Sequence, residues 1–447
     1  MKKQGLGTVL LAGSLLLTGC GGDSDGNSSS DRASDTQATA SVRALHLSPD
    51  APAVDIAVSG NVVLEDVSYR EASGFLTVDA ATTPIDVLVA GTDTRAIAAS
   101  LPLNEDTKYT VIAVNELASI EPLVITDVDT PAEGFAELTV IHGAPAAPAV
   151  DVYVSGPDDD FAGLTPLLEG VVFKDVSNEL EVAAGDYRVR VTAAGGSDIL
   201  YDSGTLNLAD GVEYVAVASQ VDEGFAPIGL TLLTDLADTP VVTVDDARAR
   251  VRVIHASADA PAVDVDVNDA EVLGDVTFGN ASSYLKLLGD TYNVKVLAAD
   301  SESAVINTDL TLDPRQDYSV LALNTLSEIE ALVLADDNSA PAEGSVKVRL
   351  VHAASQAGLV DVYVTAPGAD IGAIDPTIED FAFKEDSGYL EVPAGDYRVR
   401  VTLADTKTVA IDTGTLSLGA GIVRTAIALD PEPGGSEFGA LLLEDLN

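Results

Sequence analysis

The sequence contains no tryptophan, one cysteine and four histidines among its 447 residues. A single cysteine cannot form an internal disulfide, and zinc sites need at least three convergent His, Cys or acidic ligands. Aromatic residues make up 5% of the chain, whereas sugar-binding sites usually stack sugar rings on aromatic side chains. These scarcities argue against a disulfide-stabilised fold, thiol chemistry in the body of the protein and an aromatic glycan platform.

Positive charge is also scarce, because 23 Lys and Arg residues face 72 Asp and Glu residues, giving a formal net charge of −49. Nucleic acids and anionic bilayers bind proteins through clustered Lys and Arg. The composition therefore predicts no nucleic-acid partner. An acidic surface stays hydrated in salt, where screening reduces its self-repulsion, so saline or calcium-rich surroundings are favoured.

The first twenty residues, MKKQGLGTVLLAGSLLLTGC, have the basic start, short apolar run and small residues of a secretion signal. Their end, LLTGC, resembles the lipobox of bacterial lipoproteins, which predicts a signal peptide over 1–19 and lipidation of Cys20. A Gly, Ser and Asp-rich flexible linker is predicted to complete the segment 20–41. Gly21 in place of an aspartate favours the outer membrane of a Gram-negative cell. The predicted location is the bacterial cell envelope, with a lipid anchor in the membrane.

The rest of the chain repeats one unit four times, and an offset of about 210 residues carries the first two units onto the last two. We predict domains over 42–130, 135–236, 248–339 and 345–447, with 237–247 as a linker. Stretches such as VDVYVSG and YRVRVT alternate apolar and polar residues, and turn signals punctuate them. The predicted fold is all-β, with four tandem immunoglobulin-like antiparallel β-sandwich domains that lack the Cys and Trp signature of true immunoglobulins.

Each histidine opens a version of one phrase: HLSPDAPAVD, HGAPAAPAVD, HASADAPAVD or HAASQAGLVD. An aspartate follows nine residues later each time. The pairs are His46 and Asp55, His142 and Asp151, His255 and Asp264, and His352 and Asp361. The phrase is predicted to be a repeated structural motif, with a ligand-binding or ionic-switch role as the alternative.

Strand periodicity places Val253 and His255 on one face and Arg252 and Ile254 on the other. The histidine is therefore predicted on the apolar face at the end of its strand, hydrogen-bonded by the loop that follows. Asp55 and its counterparts have the opposite parity to the apolar neighbours, Val54 and Ile56 in the first unit, and we predict that they accept amides of the preceding turn. No catalytic residue is predicted, because the chain shows neither a nucleophile elbow nor an HExxH motif, and active sites are rarely repeated in every domain.

The sequence offers one candidate cofactor, calcium, because the carboxylates of Asp158, Asp159 and Asp160 in GPDDDFAG could serve as its oxygen ligands. A solvated acidic surface is the favoured interpretation of so short an acidic run in so acidic a chain, and calcium binding is the alternative. Tyr153 and Tyr363 share the parity of the phrase aspartates and are predicted to cover the outer sheet face as cross-strand partners. Exposure of the two rings to a glycan is the alternative.

Four arginines alternate with valine in two YRVRV stretches. They are Arg188, Arg190, Arg398 and Arg400. The alternation predicts that they line the outward face of a strand and form surface ion pairs with neighbouring acids.

The phrase VRVIHASADAPAVDVDV, a YLEVPAGDYRVRVT hairpin and a TGTLSLGAG turn together resemble the bacterial domain-of-unknown-function family 4397. The resemblance covers all four units and implies a tandem envelope or secreted protein, without implying a ligand. Unit four departs from the pattern at Gln356, Ala357 and Gly358, which predicts a different turn shape there.

The sequence as a whole predicts a lipid-anchored envelope protein that acts as a non-catalytic binding, adhesion or structural module, with an unidentified protein or glycan as partner. A calcium- or glycan-dependent surface lipoprotein is the alternative, and a hydrolase is the least favoured.

Overall fold

The computed structural model describes residues 37–127, 131–221, 225–299, 301 and 303–446. The predicted signal peptide and Cys20 lie outside the described residues. Those residues form β-strands and three single-turn 3-10 helices, Leu117–Ser119, Leu326–Glu328 and Ile371–Ala373. The all-β prediction is therefore confirmed. None of the helices in this part of the chain is long and apolar enough to span a membrane.

Domain 1 is a sandwich of two four-stranded sheets. Its strands are β1 (Thr39–Leu47), β2 (Val54–Val58), β3 (Asn61–Val67), β4 (Leu76–Asp79), β5 (Thr82–Val89), β6 (Arg95–Pro102), β7 (Lys108–Val114) and β8 (Glu121–Asp127). The sheet orders are β4-β1-β7-β8 and β3-β2-β5-β6. The chain crosses from one sheet to the other after β1, β3, β4 and β6, as in a sandwich.

Domain 2 repeats this plan with one additional strand. Its strands are β9 (Phe135–His142), β10 (Val150–Ser155), β11 (Leu168–Val171), β12 (Leu180–Ala183), β13 (Gly185–Ala193), β14 (Ile199–Leu208), β15 (Glu213–Gln220), β16 (Ile228–Thr234) and β17 (Val241–Val244). The sheet orders are β12-β9-β15-β16-β17 and β11-β10-β13-β14. The prediction of a linker over 237–247 needs correction, because β17 pairs with β16 inside that segment.

Domain 3 returns to eight strands. They are β18 (Arg248–Ala256), β19 (Val263–Val267), β20 (Ala270–Val276), β21 (Leu285–Leu288), β22 (Thr291–Ala298), β23 (Ala304–Thr311), β24 (Asp317–Leu323) and β25 (Glu330–Asp336). The sheet orders are β21-β18-β24-β25 and β20-β19-β22-β23.

Domain 4 has a second sheet whose last strand is broken in two. Its strands are β26 (Ser345–His352), β27 (Val360–Thr365), β28 (Ile378–Phe381), β29 (Asp386–Pro393), β30 (Gly395–Leu403), β31 (Val409–Asp412), β32 (Leu416–Leu418), β33 (Val423–Leu429) and β34 (Gly439–Glu444). The sheet orders are β29-β26-β33-β34 and β28-β27-β30-β31, with β32 also paired to β30.

One strand pair in every domain is parallel, which the sequence did not indicate. The histidine strand pairs in parallel with the strand that opens the last hairpin of its sheet, as β1 does with β7 and β18 with β24. β26 pairs in the same way with β33, and β9 pairs in parallel with β15, which is followed by two more strands of its sheet. Alternation of apolar residues reports which face a side chain takes, and it carries no information on the direction of the neighbouring strand.

The core of each domain lies between its two sheets. In domain 1 it contains Val42, Ile56, Ile85 and Val111, all less than 9% exposed. A tyrosine closes one end of the core in three domains, and its hydroxyl accepts a backbone amide five residues earlier. These tyrosines are Tyr109, Tyr214 and Tyr318.

The domains are packed in two pairs and do not form a simple string. Apolar side chains on the outer face of the histidine-strand sheet of domain 1 pack against the same face of domain 2. This cluster comprises Leu45, Leu47, Ile112, Val114, Ile141, Val215, Val217 and Leu233. Domains 3 and 4 share an equivalent cluster that includes Ile254, Leu321, Val351 and Ile427. Each histidine-strand sheet is thus apolar on both of its faces.

Candidate functional site

The four histidines lie at the ends of β1, β9, β18 and β26, where each strand leaves its sheet. All four are buried, with at most 1% of each residue exposed. Alternation along the strand turns them toward the sandwich interior, as their parity indicated. The position on the apolar face that the sequence predicted is the one that the structure has.

Each imidazole bridges its own strand end to the loop that follows. Nε2 of His46 lies 3.1 Å from the carbonyl oxygen of Pro52, and Nδ1 accepts the amide of Ser48 at 3.3 Å. The other three histidines make the same two contacts with the residues six and two positions later. Because Nδ1 accepts an N–H, the proton lies on Nε2 and the ring is neutral.

Burial lowers the pKa of His46, His255 and His352 below the ordinary value of 6.5, against an opposing effect of the hydrogen bond to the loop carbonyl. A cationic ring could not accept the loop amide at Nδ1. The neutral form is therefore the one that fits this site.

An aromatic side chain packs edge-on against each histidine. The ring centroid of Tyr69 lies 6.2 Å from that of His46, and Phe173, Phe278 and Phe383 occupy the equivalent positions. The turn that carries Tyr69 is tied to the strand by the amide of Arg70, which donates to the carbonyl of His46. Strand end, loop and aromatic turn thus form one closed unit, which we call the histidine box.

The turn of domain 4 keeps these bonds with a different backbone. Gly358 stands where the other domains have proline, and its φ of 70° is in the left-handed region that proline cannot adopt. Its carbonyl still accepts from His352 at 2.9 Å. The turn therefore differs in conformation while the hydrogen-bond pattern is preserved.

The phrase aspartates bind amides of later loops, which corrects the expected bond to the preceding turn. Asp151 accepts the amides of Gly170 and Gly195, each at 2.7 Å, and Asp55 accepts those of Asp66 and Gly91. Asp264 and Asp361 accept the amides of Asp275 and Asp380. One donor in each domain lies at a hairpin irregularity with positive φ, which leaves its N–H outside the hydrogen-bond ladder of the sheet. These donors are Asp66, Gly170, Asp275 and Asp380.

Replacing Asp151 with alanine should lower the free energy of unfolding of domain 2 by about 3 kcal/mol, because two hydrogen bonds to a buried carboxylate are lost. Urea unfolding followed by far-UV circular dichroism measures this effect. Asp79→Ala is the matched control, since Asp79 is exposed at the end of β4, and it should change stability by less than about 0.5 kcal/mol. Equal effects of the two substitutions would contradict the assigned role of Asp151.

No histidine contacts its phrase aspartate through the hydrogen bonds described above. The His46 imidazole is bonded to its own loop, whereas the Asp55 carboxylate lies on β2, in the other sheet, and accepts the amides of two other loops. The two residues therefore do not form an acid–base or metal-binding pair.

In the acidic loop considered for calcium, two carboxylates accept hydrogen bonds from backbone amides of the same loop. Asp159 accepts the amide of Gly156 at 2.8 Å and Asp160 accepts that of Ala162 at 3.2 Å. Within the described ranges, no three His, Cys, Asp or Glu side chains are grouped so that they could hold a metal ion. Calcium binding at Asp158 to Asp160 stays a prediction.

The two tyrosines considered for glycan binding are covered. Tyr153 is 8% exposed and its ring packs against Phe161 at 4.9 Å, while Tyr363 is 1% exposed and accepts a hydrogen bond from Lys407. Their outward parity was correct, but side chains from nearby loops cover that sheet face.

The arginine prediction was correct in giving acid partners to two of the four residues, although the Asp202 partner of Arg188 is buried and only the Arg398 pair is near the surface. Arg188 and Arg398 form bidentate pairs with Asp202 and Asp412. Arg190 and Arg400 are instead buried, and each donates to a hydroxyl and to a carbonyl of the covering loop. The alternation along the strand correctly predicted the sheet face on which Arg190 and Arg400 lie. It could not predict the loop that covers this face.

Sequence reasoning missed a set of buried arginines between paired domains. Arg252 donates to Asp445 at 2.5 Å, and Arg349 donates to Asp336 at 2.6 Å, so each arginine reaches an acid of the other domain. Both guanidinium groups lie over a tyrosine ring of their own domain, Tyr284 and Tyr389. The exchange is reciprocal, as at a two-fold interface.

The first pair of domains keeps half of this arrangement. Arg43 is 1% exposed and donates to the carbonyl of Thr234 in domain 2 at 2.6 Å. The matching position of domain 2 holds Thr139. One feature of the sequence could have revealed the interface. Val253 and Ile254, which follow Arg252, point to opposite faces of the strand and are both apolar, which indicates a strand buried on both faces.

Solved structures similar to this chain were found at low identity. The Bacillus anthracis TIE protein is 10% identical, with 88% of this chain and 68% of that chain covered and a TM-score of 0.16. A structure of alpha-glucan binding by a streptococcal virulence factor is 12% identical, with 38% and 88% covered and a TM-score of 0.14. These scores carry no argument about function. No curated protein matches the chain.

The sequence profile of the family described as Domain of unknown function (DUF4397) matches residues 40–153, 249–363 and 364–447. Each of the first two segments starts in or next to the histidine strand of one domain and ends in the second strand of the next. Since the three segments cover more than half of the 447 residues, the chain belongs to the DUF4397 family.

Proposed function

We propose that this chain is a lipid-anchored protein of the bacterial cell envelope, in which four β-sandwiches act as a non-catalytic structural and binding module. The observation that carries the non-catalytic part is the histidine box. Both nitrogens of each imidazole are bonded to backbone of its own loop, and a general base needs a free nitrogen within reach of a substrate.

Packing in pairs supports a structural role for the module. A chain of independent sandwiches would bend at every joint, whereas apolar clusters fix domain 1 on domain 2 and domain 3 on domain 4. Arg43 bonds across the first of these interfaces, and two crossed arginines bond across the second. Contacts also span the central joint, where Arg248 donates to the carbonyls of Ile199 and Leu200. Such an arrangement holds a terminal domain at a defined distance from an anchor.

The anchor is tested by Cys20→Ser. Because several acyl chains on one residue give stable membrane attachment, we expect the unchanged chain to sediment with membranes and the variant to appear in the soluble fraction after cell lysis. Immunoblotting of both fractions measures the distribution. Ser28→Ala, a change in the predicted linker, is the control and should leave the protein with the membranes. A Cys20→Ser chain that still sediments with them would overturn the proposed anchor.

A further inference from the structure

Domain 4 contains a large apolar cavity between its two sheets, of about 900 Å³. The corresponding spaces in domains 1 and 2 measure about 20 and 40 Å³. Its walls include Leu350, Val362, Val399, Leu416 and Ala426. Ligand-binding pockets commonly measure about 300–1,000 Å³ and are lined mainly by apolar side chains, so this space has the size and the chemistry of a binding site.

Smaller side chains contribute to the difference from domain 2. Tyr201 faces Val191 in domain 2, and Ile411 faces Val401 at the equivalent position of domain 4. Tyr201 is 1% exposed, and its hydroxyl donates to the carbonyl of Val244 in β17. The tyrosine thereby closes the seam between the two sheets, and an isoleucine cannot make that bond.

A second exchange widens the opposite wall. Leu230 of β16 pairs with Ala218, and the equivalent pair in domain 4 is Ala440 with Ala428. Leu230 belongs to the core of domain 2, whereas Ala440 lines the cavity. The loss of a leucine side chain leaves space that the surrounding backbone does not fill.

The cavity opens to solvent along the seam between β31 and β34. Val409 and Leu442 line it and are 42% and 43% exposed. In domain 2 the equivalent edge, β16, pairs with β17 and its residues are buried. Among the described residues, no strand pairs with the outer edge of β34. An apolar ligand can therefore enter from the side of the sandwich.

One cationic side chain, that of Arg424, lines the cavity. Arg424 occupies the position at which the other three domains place the core-closing tyrosine. Of the Arg and Lys residues that the structure describes, it is the one that lines the cavity. Its Nη2 donates to Glu444 at 2.8 Å, and the Glu444 side chain is 81% exposed. An ion pair with so exposed a partner is weak, so an anionic ligand group can replace the carboxylate.

We propose that this cavity binds an amphiphile with a single long acyl chain and an anionic head group, which goes beyond the proposed envelope role. The chain lies between the two sheets of domain 4, in contact with the apolar walls. The head group accepts hydrogen bonds from the guanidinium of Arg424. Domains 1 and 2 have no such site, because their core residues fill the equivalent space.

The test uses the full chain carrying Cys20→Ser, so that no covalent acyl group competes, purified without detergent. A fluorescent fatty acid, dansyl-undecanoate, should bind saturably and be displaced by palmitate. Ala440→Leu and Ile411→Tyr restore the residues of domain 2, and each should weaken binding by about tenfold or more through steric filling. Ser417→Leu adds bulk on the exposed face of β32, and as the control it should bind like the parent chain.

Head-group recognition is tested separately with Arg424→Gln. Loss of a charge-assisted hydrogen bond should weaken palmitate binding by about tenfold, while binding of the neutral hexadecanol should be unchanged. Lysophosphatidic acid, tested beside palmitate, distinguishes a phospholipid-derived ligand from a free fatty acid by its relative affinity. Circular dichroism of every variant verifies its fold. Absence of saturable binding, or equal affinity in the parent chain and in the folded Ala440→Leu and Ile411→Tyr variants, would overturn the proposal.

Discussion

Replacing Asp336 with alanine is expected to destabilise the pair of domains 3 and 4 by about 3–5 kcal/mol. The Asp336 carboxylate accepts hydrogen bonds from Arg349 at 2.6 Å, Ser319 at 2.8 Å and Tyr284 at 2.5 Å. Arg349 is 1% exposed, so the substitution leaves a buried cation without its carboxylate. Urea unfolding measures the loss as a shift of the transition that involves these domains.

A double variant separates the ion pair from simple packing. Asp336→Leu combined with Arg349→Met removes both charges and should recover a large part of the stability that Asp336→Ala loses, because an apolar pair avoids the desolvation penalty. Asp309→Ala removes an exposed acid of β23 and serves as the surface control, with an effect of less than about 0.5 kcal/mol. A loss below about 1 kcal/mol for Asp336→Ala would show that the buried charge has found another partner or water.

Replacing His255 with alanine is expected to lower the stability of domain 3 by about 2–4 kcal/mol. The substitution removes the bond from Nε2 to the carbonyl of Pro261, leaves the amide of Ser257 without its acceptor, and opens a gap beside Phe278. The same change would have no such effect on an exposed, ligand-binding histidine. Graded effects from equivalent changes in the other three domains, measured by urea unfolding, would support the structural role.

Acid should weaken the histidine boxes. The pKa of His255 is lowered in the folded state by burial, so the unfolded chain takes up the proton at a higher pH than the folded chain. The stabilisation is fully present above the unfolded value near 6.5 and is lost as the pH falls through the folded value. The parent chain should therefore lose stability more steeply between about pH 7 and 5 than His255→Ala, and parallel pH profiles would contradict this linkage.

Patterning predicted the fold class and the side on which each histidine lies, because both depend on alternation within one strand. The partners of Asp151 depend on two loops that come together in space and on positive φ angles at the hairpin irregularities. Such local departures from the ladder have no period. The sequence therefore placed the residue correctly and assigned the wrong amides to it.

Pairing of the domains was detectable in part. Ile254 and Val253 are apolar on opposite faces of β18, and both are less than 9% exposed, so the strand had to be covered twice. Which surface covers the second face is a property of two folded domains. Arg252 obscured the signal, since a charged residue on that parity suggested solvent, whereas its partner acid lies in domain 4.

The parallel pairing of β1 with β7 sets the order in which a domain can be completed. Arg43 and Thr110, which bond across this pair, are 67 residues apart in the chain, and the same separation joins Arg252 to Ser319. Non-local pairing of this kind slows folding, because the entropy of closing the intervening loop is lost before the contacts form. The first strand of each domain cannot form its parallel pair until the much later partner strand is in place. Before that pairing, both apolar faces of the first strand are exposed to other chains. High contact order thus makes prompt folding, or protection by a chaperone, a requirement of this architecture.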